Sequence, residues 1–202
     1  TGQPLHAFNA DKITGKKVIV KTLEEGTPFV TLDGVERKLS SGDLMICNTE
    51  APMCIGGVFG GLHSGVSENT VNVFLESACF NPTYIRKTSR RHQLFTDASF
   101  RFERGSDPEI TLYALKRAAL LIKEIAGGQI SSDIVDVYPS PVNKAEVVLR
   151  FKQLKRLVGA EIPSETVADI LRLLEYEIVE KTQDNIRVKV PTCRVDVTRE
   201  AD

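Results

Sequence analysis

The residues best suited to chemistry are one glutamate and the glycine-rich segment that precedes it. Five glycines fall between Gly56 and Gly65, a density typical of backbone that turns sharply or lets a ligand approach closely. Glu76 follows near the end of the apolar run 71–77. Together they predict a pocket with a polar floor. Two alternatives stay open from these residues alone: the glycines could be corners of a sheet, and Glu76 could face solvent.

Histidine is a second candidate for chemistry, and cysteine is not. His6 lies in the run Pro4-Leu-His-Ala-Phe8, and imidazole transfers protons readily because it titrates near neutral pH. The alternative is a core histidine bonded to backbone. The four cysteines, at 47, 54, 79 and 193, form no Cys-x-x-Cys pair, so neither a zinc site nor a disulfide framework is predicted. We expect free, mostly buried thiols in a cytoplasmic protein.

A basic segment between residues 86 and 104 predicts a contact with RNA. Six positive side chains minus two negative ones leave a local charge of +4 there, which suits the phosphates of a single strand. The alternative is a solvated surface with ordinary ion pairs. Phe95 and Phe100 could stack on bases, although we expect them to pack in the core. The positive residues are Arg86, Lys87, Arg90, Arg91, Arg101 and Arg104.

Hydrophobic patterning predicts a β-rich first part followed by helices. Strands are expected at 17–22, 29–32, 35–39, 44–47 and 71–75, with Asp33-Gly34 as a hairpin turn. A short helix is expected from Asn81-Pro82 through Arg86. A long amphipathic helix is expected to begin at Asp107-Pro108 and to end at Gly127-Gly128. Residues 134–137 are predicted as a closing strand.

A linker-like run at 138–143, rich in proline, predicts a domain boundary near residue 143. The domains would be 1–143 and 144–202. The second would hold strands at 147–151, 177–180 and 186–190, and helices at 153–158 and 163–174. The fold class expected is α+β: a β-rich mixed-sheet domain with a long helix, then a small winged-helix-like α/β domain. The winged-helix pattern raises a DNA-binding alternative, but helix 153–158 holds only Lys155 and Arg156 as basic residues.

Composition describes an ordinary globular protein of 202 residues, with 42% hydrophobic and 26% charged residues. A formal net charge of −1 gives no global field for nucleic acid, so any RNA contact must be local. No apolar run is long enough for a membrane span, and no signal peptide is visible. The chain opens at Thr1, and its only methionines are Met45 and Met53, so we expect a piece of a longer protein.

Several short motifs occur in a fixed order along the chain: residues 2–8 (Gly-Gln-Pro-Leu-His-Ala-Phe), the glycine segment 56–65, Leu75-Glu-Ser-Ala78, Arg90-Arg-His92, Thr96-Asp-Ala-Ser99 and Arg101-Phe-Glu-Arg-Gly105. This set resembles the B3/B4 editing domain of the bacterial phenylalanyl-tRNA synthetase beta subunit. The resemblance continues into the following B5 domain and covers essentially the whole chain.

The resemblance implies a site that hydrolyses the ester of tyrosine mis-attached to the phenylalanine tRNA. Glu76 would accept a hydrogen bond from the tyrosine hydroxyl, and His6 would orient or activate the attacking water. No covalent intermediate is expected. Gly57, Gly60, Thr96 and Ala98 would leave room for the side chain. The competing interpretation is a non-catalytic scaffold that contacts tRNA, with the glycine segment purely structural.

The resemblance also implies partners and metals. The tRNA acceptor end would lie against the basic segment, and a partner alpha subunit would hold the aminoacylation site with its ATP and magnesium. No cofactor is expected in this chain. Asp196 and Asp202 match two positions of a magnesium motif whose glutamates would follow residue 202, so the site is expected to be partial and to hold no stable metal.

Overall fold

The structure is a computed structural model that describes all of residues 1–202, and it divides into two compact units, Thr1–Asp136 and Val137–Asp202. Helices and strands alternate irregularly and every strand pair is antiparallel, which confirms the α+β class. Residues 138–143, the predicted linker, form neither helix nor strand. The domain boundary expected near residue 143 stays a prediction. None of the helices has the length and apolar composition needed to cross a membrane.

The first unit is built from eight short strands and three helices. The strands are β1 (Leu5–Asn9), β2 (Ile19–Lys21), β3 (Pro28–Val30), β4 (Glu36–Lys38), β5 (Met45–Cys47), β6 (Pro52–Ile55), β7 (Phe59–Gly60) and β8 (Val73–Ser77). They form a four-stranded sheet in the order β2-β5-β6-β7, a pair β1-β8 and the hairpin β3-β4, whose turn contains the predicted Asp33-Gly34.

The core of the first unit lies between these sheets and the first two helices. Phe8, Met45 and Ile55 are fully buried there, and Phe29, Phe80 and Phe102 are among the aromatic side chains that pack with them. Burying such side chains provides the main free energy of folding. Two thiols, Cys47 and Cys54, belong to this core, but Cys79 and Cys193 are exposed. The expectation of mostly buried cysteines is therefore wrong for half of them.

The three helices of the first unit are α1 (Pro82–His92), α2 (Asp97–Phe102) and α3 (Ile110–Ala126). The Asn81 side chain caps α1, and Pro82 occupies its first turn, as predicted, although the helix continues to His92. The reciprocal capping bonds of Thr96 and Ser99 fix the start of α2. Sequence patterning did not predict this helix.

The predicted start of α3, with Asp107 as cap and Pro108 as first helical residue, is wrong by two residues. Asp107 accepts a hydrogen bond from the Glu109 amide in a preceding turn, and the helix begins at Ile110 without a side-chain cap. Its end at Gly127, with φ 71°, is confirmed. Of its predicted apolar face only Ala114 is buried, and Ile125 is 81% exposed. The strand predicted at 134–137 is absent.

The second unit has a three-stranded antiparallel sheet in the order β10-β11-β9 and two helices. The elements are β9 (Glu146–Arg150), α4 (Phe151–Val158), α5 (Ser164–Leu173), β10 (Glu177–Lys181) and β11 (Asn185–Lys189). Each predicted element is present, with bounds shifted by up to two residues. Val167, Ala168, Ile186 and Val188 form its buried core.

Candidate functional site: a pocket between the β1-β8 pair and the glycine segment

A pocket of about 280 Å³ lies in the first unit and gathers residues that are far apart in the sequence. Its wall includes side chains of β1 and β8, the glycine segment and the start of α2. All six pocket residues expected from the sequence line it: His6, Gly57, Gly60, Glu76, Thr96 and Ala98.

The β1-β8 pair places the two ionisable side chains of the site next to each other. In its antiparallel register His6 lies directly opposite Glu76. Side chains of directly opposed residues project on the same face, with Cβ atoms about 5 Å apart. The pocket therefore has an imidazole and a carboxyl group on one wall.

Glu76 has an unusual environment for a carboxylate. It forms no hydrogen bond or ion pair, and its burial raises its pKa from the ordinary 4.5 to about 7. Desolvation penalises the charged form, and no neighbouring positive charge offsets the penalty. Near neutral pH the group is thus a mixture of acid and carboxylate that can bind a polar group of a ligand.

His6 is held in the neutral state at the same wall. Burial lowers its pKa below the ordinary 6.5, and its Nε2 atom is buried without a hydrogen-bond partner. The ring packs edge-on against Phe8, with centroids 4.3 Å apart. A neutral imidazole has one ring nitrogen free to accept a proton, so His6 can act as a base near pH 7.

The two glycines expected to shape the pocket do so for different reasons. A Cβ atom at Gly60 would lie 2.8 Å from His6 Cε1 and 2.8 Å from Leu32 Cδ1, and both neighbours line the pocket. Gly57 has φ +69°, and a Cβ there would lie 2.7 Å from Phe80 Cδ2. Gly57 is thus required by its turn and by core packing, whereas Gly60 leaves space within the site.

Thr96 and Ala98 bring the start of α2 to the pocket. The Thr96 hydroxyl donates to the Val58 carbonyl at 2.8 Å and accepts from the Ser99 amide at 3.1 Å. These bonds join α2 to the glycine segment, so the Thr96 hydroxyl stabilises the structure of the pocket wall. Ala98 packs partly buried against the core, and a larger side chain there would enter the pocket.

Sequence reasoning missed several residues of the wall. Phe80 and Phe102 form an apolar side, with rings nearly perpendicular and centroids 4.9 Å apart. Asp97, an exposed carboxylate, also lines the pocket. Its position between Thr96 and Ala98, two predicted pocket residues, could have indicated this. Cys54 lines the pocket too, but burial raises its pKa, so the thiol is not a nucleophile.

The six basic residues predicted to bind RNA are all exposed, but three already have intramolecular partners. Arg91 pairs with the buried Asp43 at 2.5 Å. Arg104 pairs with Glu103 at 2.9 Å, and Arg86 donates to the Glu103 carbonyl. The side chains of the remaining three, Lys87, Arg90 and Arg101, form no hydrogen bond or ion pair.

The expectation that the two phenylalanines of this segment pack in the core is wrong. Phe95 is 76% exposed and Phe100 is 57% exposed. Each lies beside a buried side chain, Leu94 or Ser99, that takes the core-facing position. The two rings are therefore exposed to solvent, as the basic side chains of this segment are.

Asp196 and Asp202, the two aspartates expected in a partial magnesium site, lie near the end of the second unit. Asp202 accepts hydrogen bonds from the Arg199 guanidinium at 3.1 Å and from the Arg199 and Thr198 amides. No group of three or more His, Cys, Asp or Glu side chains could hold a metal ion, and Asp196 joins no such group. The partial magnesium site at Asp196 and Asp202 therefore stays a prediction.

Comparisons with known proteins identify both units. The family model described as "B3/4 domain" matches residues 1–127, and "tRNA synthetase B5 domain" matches residues 147–202. Phenylalanine–tRNA ligase beta subunits are similar along the whole chain: 58% identity over 201 residues for Bacteroides fragilis, 54% over 202 for Porphyromonas gingivalis and 43% over 201 for Geobacter metallireducens. The chain spans 24–25% of the length of these relatives.

Among solved structures, an N-terminal fragment of the phenylalanyl-tRNA synthetase beta subunit from Pyrococcus horikoshii aligns with 96% of the chain and 55% of that fragment, at a TM-score of 0.47 and 14% identity. The family assignment depends on the sequence matches instead. They cover the regions that carry the ordered motifs, and they confirm the predicted resemblance. The chain belongs to the B3/4 domain family, with a B5 domain following, as in the beta subunits of phenylalanine–tRNA ligases.

Proposed function

We propose that the pocket is an editing site, which hydrolyses the ester between tyrosine and the phenylalanine tRNA within a phenylalanine–tRNA ligase. One observation carries the proposal: Glu76 and the Nε2 atom of His6 share one pocket wall, and neither has a partner within the protein. Buried polar groups without partners are costly. We therefore infer that a bound ligand supplies the missing hydrogen-bond partners of Glu76 and His6.

The chemistry of phenylalanine recognition explains why such a site is needed. An apolar pocket that binds phenylalanine rejects an isostere with an added hydroxyl only by about a hundredfold. A second site that requires the hydroxyl has the opposite preference. Glu76, beside the apolar rings of Phe80 and Phe102, combines an aromatic slot with one acceptor for the phenol.

Glu76 would select tyrosine through a charge-assisted hydrogen bond. The phenol O–H donates to the carboxylate, whereas phenylalanine would leave the carboxylate desolvated and unpaired. The cost of an unpaired buried group is ~1–3 kcal/mol, or a preference of about 5- to 150-fold. Asp97 provides a complementary charge for the α-ammonium group of the aminoacyl ester.

His6 would assist the attacking water. The water oxygen adds to the ester carbonyl carbon while His6 accepts its proton. The bond from this carbon to the ribose oxygen then breaks, and the same proton goes to the departing oxygen. Tyrosine and uncharged tRNA are released, without a covalent intermediate. A neutral His6 is the form that this step requires.

The rest of the ligase completes the proposal. The exposed basic residues Lys87, Arg90 and Arg101 would hold phosphates of the tRNA acceptor end. Aminoacylation, with its ATP and magnesium, would take place in a partner alpha subunit, and the enzyme would work in the cytoplasm. DNA binding by the second unit is less consistent with its charges, because Lys155 is paired with Glu161 and Arg150 with Glu200.

Single-turnover hydrolysis tests the proposal on the complete ligase, with tyrosyl and phenylalanyl esters of the same tRNA. The unmodified enzyme should cleave the tyrosyl ester faster, and Glu76→Ala should remove the preference. Glu68→Gln, at an exposed carboxylate, is the matched control and should change nothing. If the unmodified enzyme shows no preference, the first unit is a scaffold that contacts tRNA and the editing proposal is wrong.

A further inference from the structure

An exposed aromatic side chain belongs to the residue that precedes the pocket wall in sequence. Phe95 is 76% exposed, and the following residue, Thr96, lines the pocket wall. Consecutive Cα atoms are about 3.8 Å apart, so the backbone of Phe95 lies beside that of a pocket residue. An exposed phenylalanine side chain does not stabilise the core, so we looked for a binding role for Phe95.

Phe100 provides an internal comparison in the same segment. The Arg104 guanidinium lies over its ring at 3.5 Å, and Arg104 is itself held by the Phe100 carbonyl and by Glu103. One face of the Phe100 ring is thus already occupied. Phe95 has no aromatic or guanidinium partner, so both faces of its ring are free to stack.

The backbone around Phe95 is firmly held although the ring is exposed. The Leu94 amide donates to the Ser89 carbonyl at 2.9 Å, and the Leu94 carbonyl accepts from the Ser89 hydroxyl at 2.6 Å. On the other side, the Thr96 amide donates to the Ser99 hydroxyl at 3.0 Å. The ring is therefore presented from a fixed backbone, so little conformational entropy is lost when a partner stacks on it.

The surrounding charge favours a nucleic acid as that partner. Helices α1 and α2 pack against each other, and they carry Lys87, Arg90 and Arg101, none of which is neutralised within the protein. Unpaired RNA offers a flat base for an aromatic ring and phosphates for basic side chains. An apolar protein segment would satisfy the ring but leave three positive charges without partners.

We propose that Phe95 stacks on the base of the terminal adenosine of the tRNA. This inference rests on the proposed function, because the ester in the pocket is carried by the ribose of that same nucleoside. Because Phe95 directly precedes Thr96 of the pocket wall, its ring is the exposed aromatic group of this segment proposed to meet the base joined to that ribose. Phe95 binds the RNA end and takes no part in the hydrolysis itself.

The test compares Phe95→Ala, Phe95→Tyr and Phe100→Ala in the complete ligase. The tRNA carries 2-aminopurine in place of its terminal adenine, and stacking is measured as fluorescence quenching on binding. Phe95→Ala should abolish the quenching and weaken capture of the RNA end about 5- to 100-fold, as expected for one lost base–aromatic stack. Phe95→Tyr should retain the quenching, and Phe100→Ala should leave most of it.

Hydrolysis provides the second readout. Phe95→Ala should raise the half-saturating concentration for tyrosyl-tRNA, and it should leave the cleavage rate of a small tyrosine ester without RNA unchanged. Unaltered quenching in Phe95→Ala would overturn the inference, as would an equal loss on the small ester. If Phe95→Ala instead weakens assembly of the ligase, the ring covers another part of the protein. The quenching measurement remains decisive even if the unmodified enzyme does not hydrolyse tyrosyl-tRNA, an outcome that contradicts only the proposed function.

Discussion

Replacing Glu76 by glutamine should stabilise the first unit while it weakens the tyrosine preference, because an amide oxygen accepts the phenol hydrogen bond without a negative charge. The glutamine side chain has nearly the same shape but never ionises. The half-buried carboxylate has no positive neighbour, and desolvation raises its pKa from 4.5 to about 7. At about 1.4 kcal/mol per pH unit, the ionised form costs the fold ~3 kcal/mol. A site that binds ligand at the expense of stability is a familiar compromise.

The sign of the effect follows from proton linkage. The folded state binds the Glu76 proton more tightly than the unfolded state, so the contribution to stability is complete below pH 4.5 and is lost as the pH rises through about 7. Glutamine has no such loss. The variant should therefore match the unmodified chain near pH 4.5 and exceed it by ~3 kcal/mol at pH 8.

Urea unfolding of the 202-residue chain, followed by circular dichroism at pH 5 and pH 8, measures this difference. Other titrating groups are common to both proteins and cancel in the comparison. Glu68→Gln, at an exposed carboxylate, should show no such pH dependence. A difference between Glu76→Gln and the unmodified chain that is the same at both pH values would refute the argument, as would a less stable variant at pH 8.

Three further substitutions test other parts of the site and its support. His6→Ala should lower single-turnover hydrolysis by about 10²- to 10⁴-fold, the usual contribution of a general base; a loss below about tenfold would make His6 a core histidine. Gly60→Ala should impair hydrolysis, because its Cβ would lie 2.8 Å from His6 Cε1, whereas Gly42→Ala has no atom within 4 Å of its Cβ and is the control. Equal rates for the two glycine variants would separate Gly60 from the site. Asp43→Ala should cost ~3–5 kcal/mol in urea unfolding, because the fully buried Asp43 carboxylate binds His92, Thr88 and Arg91; a cost below about 1 kcal/mol would show that this network contributes little.

Local patterns predicted elements well where the chain carries its own boundary signals. The hairpin at Asp33-Gly34, the Asn81-Pro82 helix start and the stop at Gly127 are all present. Helix α2 was missed because six residues are too few to show a helical period. Asp107-Pro108 suggested a helix cap but forms a turn, since Asp and Pro favour both structures. Three of the four residues at 134–137 are apolar, but the segment pairs with no strand.

The contents of the pocket were predictable only in part. His6, Glu76 and Gly60 could be proposed because their motifs are short and ordered. Phe80 and Phe102 could not be proposed, because nothing in the sequence marks either of them as a pocket residue. They line the pocket together only because the fold brings their rings into contact. Phe95 was placed in the core because apolar residues usually lie there. Its neighbour Leu94 takes the buried position instead, and exposure of this kind depends on which way one loop turns.

The position of His6 follows from core packing more than from any property of histidine. His6 and Phe8 are two residues apart on β1 and so lie on one face, and Phe8 is fully buried. A backbone bond from the Asn9 amide to the Ser64 carbonyl and the Phe8–Gly65 bridge fix this end of the strand. A slip of one residue would turn Phe8 and His6 outward together. The large cost of exposing Phe8 thereby holds the imidazole opposite Glu76, and the register of a strand pair 70 residues apart in sequence sets the geometry of the site.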